Sequence, residues 1–194
     1  MINKRIATVF ENHAGDYDRW FDDHADVYHS QLSMIRAAVP DHGLMLEIGV
    51  GSGRFASPIG IQCGIDPSHA LSAMAKSRGI EAVMGVGEHL PFHANSFDTI
   101  LMMTVICFLD DPLPVFKEAY RLQKPAGTLV VGFIEREGRI ARQYQTEKVK
   151  GRFLRYARYY SIDDVASFFR KAGYGEILIA QKVQGFCVMT GKKQ

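Results

Sequence analysis

The sequence predicts an α/β fold: a doubly wound, mostly parallel sheet with one antiparallel strand, preceded by helices. Three observations carry this. Between residues 44 and 134, short apolar runs alternate with helical stretches, the rhythm of strands joined by crossover helices. Before residue 40, the apolar residues fall at helical spacing. After Gly173, two further apolar runs lie only a few residues apart around Gly185, so they form a hairpin, and a hairpin brings an antiparallel strand into the sheet.

The elements follow in order. Ile2, Ile6, Val9, Phe10, Tyr17, Trp20 and Phe21 make a first helical stripe. Val27, Tyr28, Leu32, Ile35, Ala38 and Val39 make a second, ended by Pro40-Asp41-His42-Gly43. Leu44–Ile48 is a buried strand followed by a glycine-rich turn, and Ile61–Ile65 is the second strand, closed by Asp66-Pro67. A helix spans Ser68–Arg78 and stops at Gly79. The third strand is Ile80–Val86 and the fourth Phe97–Met103. Asp111-Pro112 opens a helix, because an acid caps it and proline is tolerated in its first turn. Lys124-Pro125-Ala126-Gly127 turns the chain into a fifth strand, Thr128–Ile134. Ser161-Ile162-Asp163-Asp164 resembles a capping box and starts a helix ending at Ala172-Gly173. The closing strands lie near Glu176–Ala180 and Phe186–Thr190.

Composition bounds the function. A chain of 194 residues, 47% hydrophobic and 23% charged, suits a single globular domain with a real core. The divisions read from the pattern are a helical lid (1–40), a core (44–134), a substrate-binding segment (135–160) and a C-terminal helix and hairpin (161–194). No apolar run approaches the roughly 20 residues that span a bilayer, and Met1–Ala7 lacks the features of a secretory signal. Cys63, Cys107 and Cys187 are far apart and suggest neither a zinc knuckle nor a disulfide framework, so a cytoplasmic location is expected. A net charge of +2 does not demand a nucleic-acid partner.

The informative stretch is Leu46-Glu47-Ile48-Gly49-Val50-Gly51-Ser52-Gly53-Arg54-Phe55. Gly49, Gly51 and Gly53 allow a tight turn and let a ligand lie against bare backbone at the carboxyl end of the strand. The dinucleotide fingerprint G-x-G-x-x-G requires glycine at position 54, where this chain has arginine. Glu47, immediately before the loop, would repel a pyrophosphate and attract a ligand carrying an ammonium and a sulfonium. S-adenosylmethionine is such a ligand. The lesser reading makes Glu47 a structural acceptor for backbone amides. Asp66, ending the second strand, can accept both hydroxyls of a ribose, or cap the helix beginning near Ser68.

These residues resemble the first motif of class I S-adenosylmethionine-dependent methyltransferases. Gly85-Val86-Gly87-Glu88-His89-Leu90-Pro91-Phe92 with Asn95-Ser96-Phe97-Asp98 is similar to the corresponding region of the type 11 subgroup. Asp110-Asp111-Pro112, Glu118-Ala119-Tyr120-Arg121-Leu122 and Lys124-Pro125-Ala126-Gly127-Thr128-Leu129 continue the pattern. The resemblance covers about residues 44–134 and implies a Rossmann-like sheet of seven strands. It also implies that Glu47 and Gly49 hold the methionine part, Asp66 the ribose and Pro67 the adenine face, with Gly87 and Glu88 at the adenine edge. Met103 and Thr104 would face the methyl donor, or simply pack the strand end. The subgroup carries an acid where this chain has Val86, which leaves adenine recognition to the backbone.

Methyl transfer from a sulfonium is an in-line displacement of a neutral thioether, so alignment and water exclusion dominate, and no catalytic triad is needed. The sequence accordingly names no catalytic residue. His13, Tyr17, Trp20, Phe21, His24, Tyr28 and His29 cluster in the N-terminal helices, and aromatic rings can lie against a sulfonium. Tyr17 is the preferred contact. His24 and His29 lack the spacing of a helical zinc pair, and no metal site is expected. The segment Arg136–Tyr160 combines Arg136, Arg139, Arg142, Lys148, Lys150, Arg152, Arg155 and Arg158 with several aromatic rings. It reads either as a surface for an anionic substrate, RNA included, or as a solvated amphipathic helix. A small-molecule acceptor is the expected partner. RNA or protein methylation, and cofactor binding without turnover, are the alternatives.

Overall fold

The computed structural model describes residues 4–146 and 151–194. Three helices open the chain, α1 (Lys4–Asn12), α2 (Ala14–Asp23) and α3 (Ala25–Ala38), where two were predicted. The apolar periodicity runs through both breaks, at His13 and His24, whose backbones leave the helical region without any proline to announce it. Ile2 lies outside the described residues.

The sheet strands are β1 (Met45–Ile48), β2 (Cys63–Asp66), β3 (Glu81–Met84), β4 (Phe97–Met103), β5 (Gln123–Ile134), β6 (Tyr174–Val183) and β7 (Phe186–Lys193). They form one seven-stranded sheet in the order β3-β2-β1-β4-β5-β7-β6. The first five pair in parallel, and β7 runs antiparallel to both β5 and β6. The antiparallel strand predicted from the hairpin therefore sits inside the sheet. Its two-residue turn, Gln184-Gly185, has positive φ at both positions (50° and 93°), the twist that tight hairpins need.

The helices between strands are α4 (Ala56–Ile59), α5 (His69–Ser77), α6 (Leu113–Leu122), α7 (Arg139–Thr146) and α8 (Ile162–Ala172). The Ser161 capping box is present, with Ser161 Oγ accepting from the Asp164 amide at 3.1 Å and Asp164 Oδ2 from the Ser161 amide at 2.9 Å. Asp111 Oδ1 accepts from the Leu113 amide at 3.0 Å, where α6 begins.

Strand alternation splits the core between two faces. Leu46, Ile48, Ile100, Met102, Leu129, Val131 and Phe133 pack against α6 and α8. Met45, Leu101, Met103, Val130 and Val188 face the side covered by α2 and α3 through Phe21, Leu32 and Ile35. Glu47 shares the parity of Met45 and so points to the second face.

Several strand boundaries differ from expectation. The predicted turn Lys124–Gly127 lies within β5, as an irregularity where pairing jumps from Phe97↔Gln123 to Thr99↔Thr128 and Ala126 takes φ 64°. β6 and β7 are longer than predicted because β6 continues through polar Gln181 and Lys182 on an exposed edge, where no apolar pattern marks it. β3 is shorter, ending at Met84. No helix among the described residues is long and apolar enough to cross a membrane.

Candidate functional site

The site grows from the end of β1. Gly49, Gly51 and Gly53 have φ of 73°, 52° and 82°, backbone that side chains disfavour. The Gly49 and Val50 amides donate to the Ile65 carbonyl at 2.8 and 3.0 Å, which holds the loop over the end of β2. Gly49 and Gly51 open on the cavity: a Cβ on Gly49 would stand 2.7 Å from Val105 Cγ2, and one on Gly51 3.2 Å from the Tyr17 ring. Gly53 serves differently. A Cβ there would meet Ile80 at 2.9 Å and the Ala75 backbone at 3.2 Å, so this glycine lets α5 pack close.

Glu47 is only 2% exposed, and its Oε2 has no hydrogen-bond partner. Burial, and then the nearby Asp66 carboxylate, push its pKa well above the ordinary range. Asp66 caps two amides, accepting from Gly51 through Oδ2 and from Ser68 through Oδ1, both at 2.9 Å. Burial nevertheless raises its pKa to about 6. Burial, and then the Asp66 and Glu47 carboxylates, raise the phenol of Tyr17. Its ring sits edge-on to Phe10, Phe21 and Phe153, with centroids 5.2, 5.3 and 5.6 Å away.

A cavity of about 550 Å³ runs under the N-terminal helices. Gly49, Gly51, Asp66, Pro67, Met103, Thr104 and Tyr17, predicted from the sequence, all line it. Thr104 holds φ 51° at the end of β4, a conformation rare outside glycine and asparagine. A smaller, largely apolar cavity shares Gly49, Pro67 and Val105 with the large one and adds Gly85, Val86 and Gly87. Glu47 and Glu88 are buried and line neither cavity.

The far half of the large cavity was not foreseen. Val27, Gln31 and Met34 of α3, Ile134 of β5, and Val183, Gln184 and Phe186 at the hairpin tip form it. Only tertiary packing brings these segments together. Trp20, Phe21 and His24 join the wall, whereas the other aromatic candidates do not: Tyr28 packs on Phe55 at 5.4 Å and donates to the Arg54 carbonyl at 2.6 Å.

The basic segment contributes through its apolar side. Ile140, Gln143, Tyr144, Phe153 and Leu154 line the cavity, and its described arginines do not. Arg136 pairs with Asp164 at 2.9 Å, Arg152 with Asp16, and Arg158 donates to the Asp110 carbonyl at 2.9 Å. Arg155 lies over the Tyr156 ring at 4.6 Å. Lys148 and Lys150 fall outside the described residues. Among the described residues, the cavity wall carries no lysine or arginine at all, and its charged or titratable side chains are Asp26, Asp66, His24 and the tyrosines.

Comparison with known proteins agrees with this geometry. Residues 46–131 match the methyltransferase domain family. A Thermotoga maritima structure, described as a SAM-dependent methyltransferase and possible histamine N-methyltransferase, superimposes with a TM-score of 0.89 and 36% identity, covering 96% of this chain and 99% of that one. An uncharacterized protein of Methanocaldococcus jannaschii is 35% identical over 175 residues, 90% of this chain and 85% of its own length. Malonyl-[acyl-carrier protein] O-methyltransferase of a Marinomonas species is 28% identical over 138 residues, and the chain spans 50% of that protein.

Proposed function

The chain belongs to the S-adenosylmethionine-dependent methyltransferases, and from that premise we propose that the cavity under the N-terminal helices takes the cofactor at its glycine-loop end and a small amine at the other. The observation that carries the acceptor reading is the wall itself: acidic, aromatic and, among the described residues, without lysine or arginine. A carboxylate or phosphate desolvated there would lack a partner, at a cost of several kcal/mol. An amine meets aromatic faces and an acid instead.

The residues present fit the cofactor. Glu47 offers an orphaned buried oxygen for an ammonium, Gly49 and Gly51 leave backbone bare where any side chain would intrude, and Asp66 keeps both carboxylate oxygens at the strand end beside Pro67. The Val86–Gly87 backbone and Pro67 bound a small apolar notch that adjoins the large cavity at Gly49 and Val105. When bound, the cofactor supplies an electrophilic methyl group on sulfur. Tyr17, Phe21 and the ring cluster around them exclude water from that end, which matters because alignment is most of the catalysis.

An amine must be neutral to attack, so its proton has to leave. His24 stacks on Trp20 at 4.6 Å, and its Nδ1 lies 3.0 Å from the Trp20 carbonyl oxygen. A carbonyl only accepts, so Nδ1 carries the hydrogen, and Nε2 is the ring nitrogen that would take up the proton from the amine.

Calorimetry with S-adenosylmethionine and NAD tests the cofactor. Saturable binding of S-adenosylmethionine alone, lost in Gly51→Val and Asp66→Ala, is expected. NAD binding alone would remove the basis for the reading. The acceptor is tested by transfer of labelled methyl to a matched set, phenethylamine, phenethyl alcohol and 3-phenylpropionate. Transfer to the amine is expected; labelling of the carboxylate instead, or of added RNA or protein only, overturns the amine reading.

A further inference from the structure

The glycine loop carries one side chain that leaves the cavity and reaches into the helix above it. Arg54 donates from Nε and Nη2 to the two oxygens of Asp18 at 2.9 and 3.0 Å, and from Nη1 and Nη2 to the two oxygens of Asp22, both at 2.7 Å. Arg78, just past α5, donates to Asp18 at 2.9 Å and to the Ser52 carbonyl at 2.7 Å, so the loop, α5 and α2 meet at one carboxylate. The Arg54 and Asp18 side chains are 19% and 18% exposed, against 62% for Asp22. Half-buried, two-pronged pairs of this kind are shorter and stronger than single surface pairs.

The spacing matters as much as the bonds. Asp18 and Asp22 are one turn apart on α2 and share a face. Tyr17 and Phe21 precede them by one residue each and make the adjoining face, the one that roofs the cavity. A grip on the two acids therefore fixes the two rings.

The geometry points to Arg54 as a positioning residue that latches α2 over the cavity and sets how often the roof opens for ligand to enter and leave. This rests on the reading that the cavity holds the cofactor, and it assigns Arg54 a duty apart from touching it. The Arg54 guanidinium lines neither cavity, so its effect on ligand must pass through α2.

Hydrogen exchange on the ligand-free protein tests the latch directly. In Arg54→Met, the amides of residues 17–23 are expected to exchange at least about tenfold faster while those of β1 and β4 stay unchanged. Arg54→Lys, a point charge without the fork, should fall between. In stopped flow, Arg54→Met should release S-adenosylhomocysteine about tenfold faster. Raising salt to about 0.5 M should also speed release from the wild type. If Arg54→Met does not fold, Asp22→Asn removes half the grip from the exposed side and should give a smaller change of the same sign. Exchange on α2 that is unchanged, or that rises equally everywhere, overturns the latch. A wild type that binds no S-adenosylmethionine would instead sink the cofactor reading, which the exchange result does not depend on.

Discussion

At the residue scale, two buried acids stand near the ends of β1 and β2, and burial works against the charge of both. Glu47 lacks a partner for one oxygen, and Asp66 is held to a pKa of about 6 against an ordinary 3.8. A group whose folded pKa is raised weakens the ligand-free fold as pH rises through the window between the two values, here from about 4 to about 6. Cofactor binding should run the opposite way, because a ribose donates to a carboxylate and an ammonium pairs with one. Affinity for S-adenosylmethionine is therefore expected to fall as pH drops through about 6, while ligand-free stability rises, as calorimetry and denaturant melts would show. Glu47→Gln separates the two: the ligand-free protein should melt no lower than the wild type, and affinity should fall about 10- to 150-fold, the worth of a charge-assisted hydrogen bond. An unchanged affinity would remove Glu47 from the site. The placing of Glu47 and Asp66 near strand ends and of Gly49, Gly51 and Gly53 in a positive-φ turn was legible because these are local features. The roles of Arg54 and Gln184 were not, since each is fixed by where a distant segment packs.

At the element scale, most strands announced themselves because they are buried on both faces and read as short apolar runs. Caps were equally legible, being set by side chains within three residues. Ser161→Ala should cost about 1 kcal/mol by removing the capping box, lowering the melting temperature by about 2–4 °C without changing cofactor affinity; calorimetric melting checks this. Helix breaks among the N-terminal helices were hidden, because the apolar stripe continues across His13 and His24. Glu11 of α1 accepts from Ser68 Oγ at 2.6 Å and from the Ala70 amide at 3.1 Å, which ties the first helix to the start of α5.

On the scale of the whole molecule, one sheet face is a filled core and the other is partly hollow. Phe116, Phe133 and Phe169 are fully buried on the first, and Phe116→Ala should cost about 3–5 kcal/mol, read from denaturant unfolding. The order of pairing was legible only in part: the hairpin was visible, but its insertion beside β5 follows from long-range packing that no local pattern encodes. That insertion has a consequence for how the chain comes to be folded. β5 is a central strand whose second neighbour, β7, lies some fifty residues further along, with α7 and α8 in between. Until Phe186–Lys193 has been synthesised, β5 presents an unpaired edge, with Leu129, Val131 and Phe133 beside it. Contacts so distant in sequence form late, and an open edge of that kind invites pairing with the wrong chain. The strand that finishes the sheet thereby also ends the interval in which the nascent protein can aggregate.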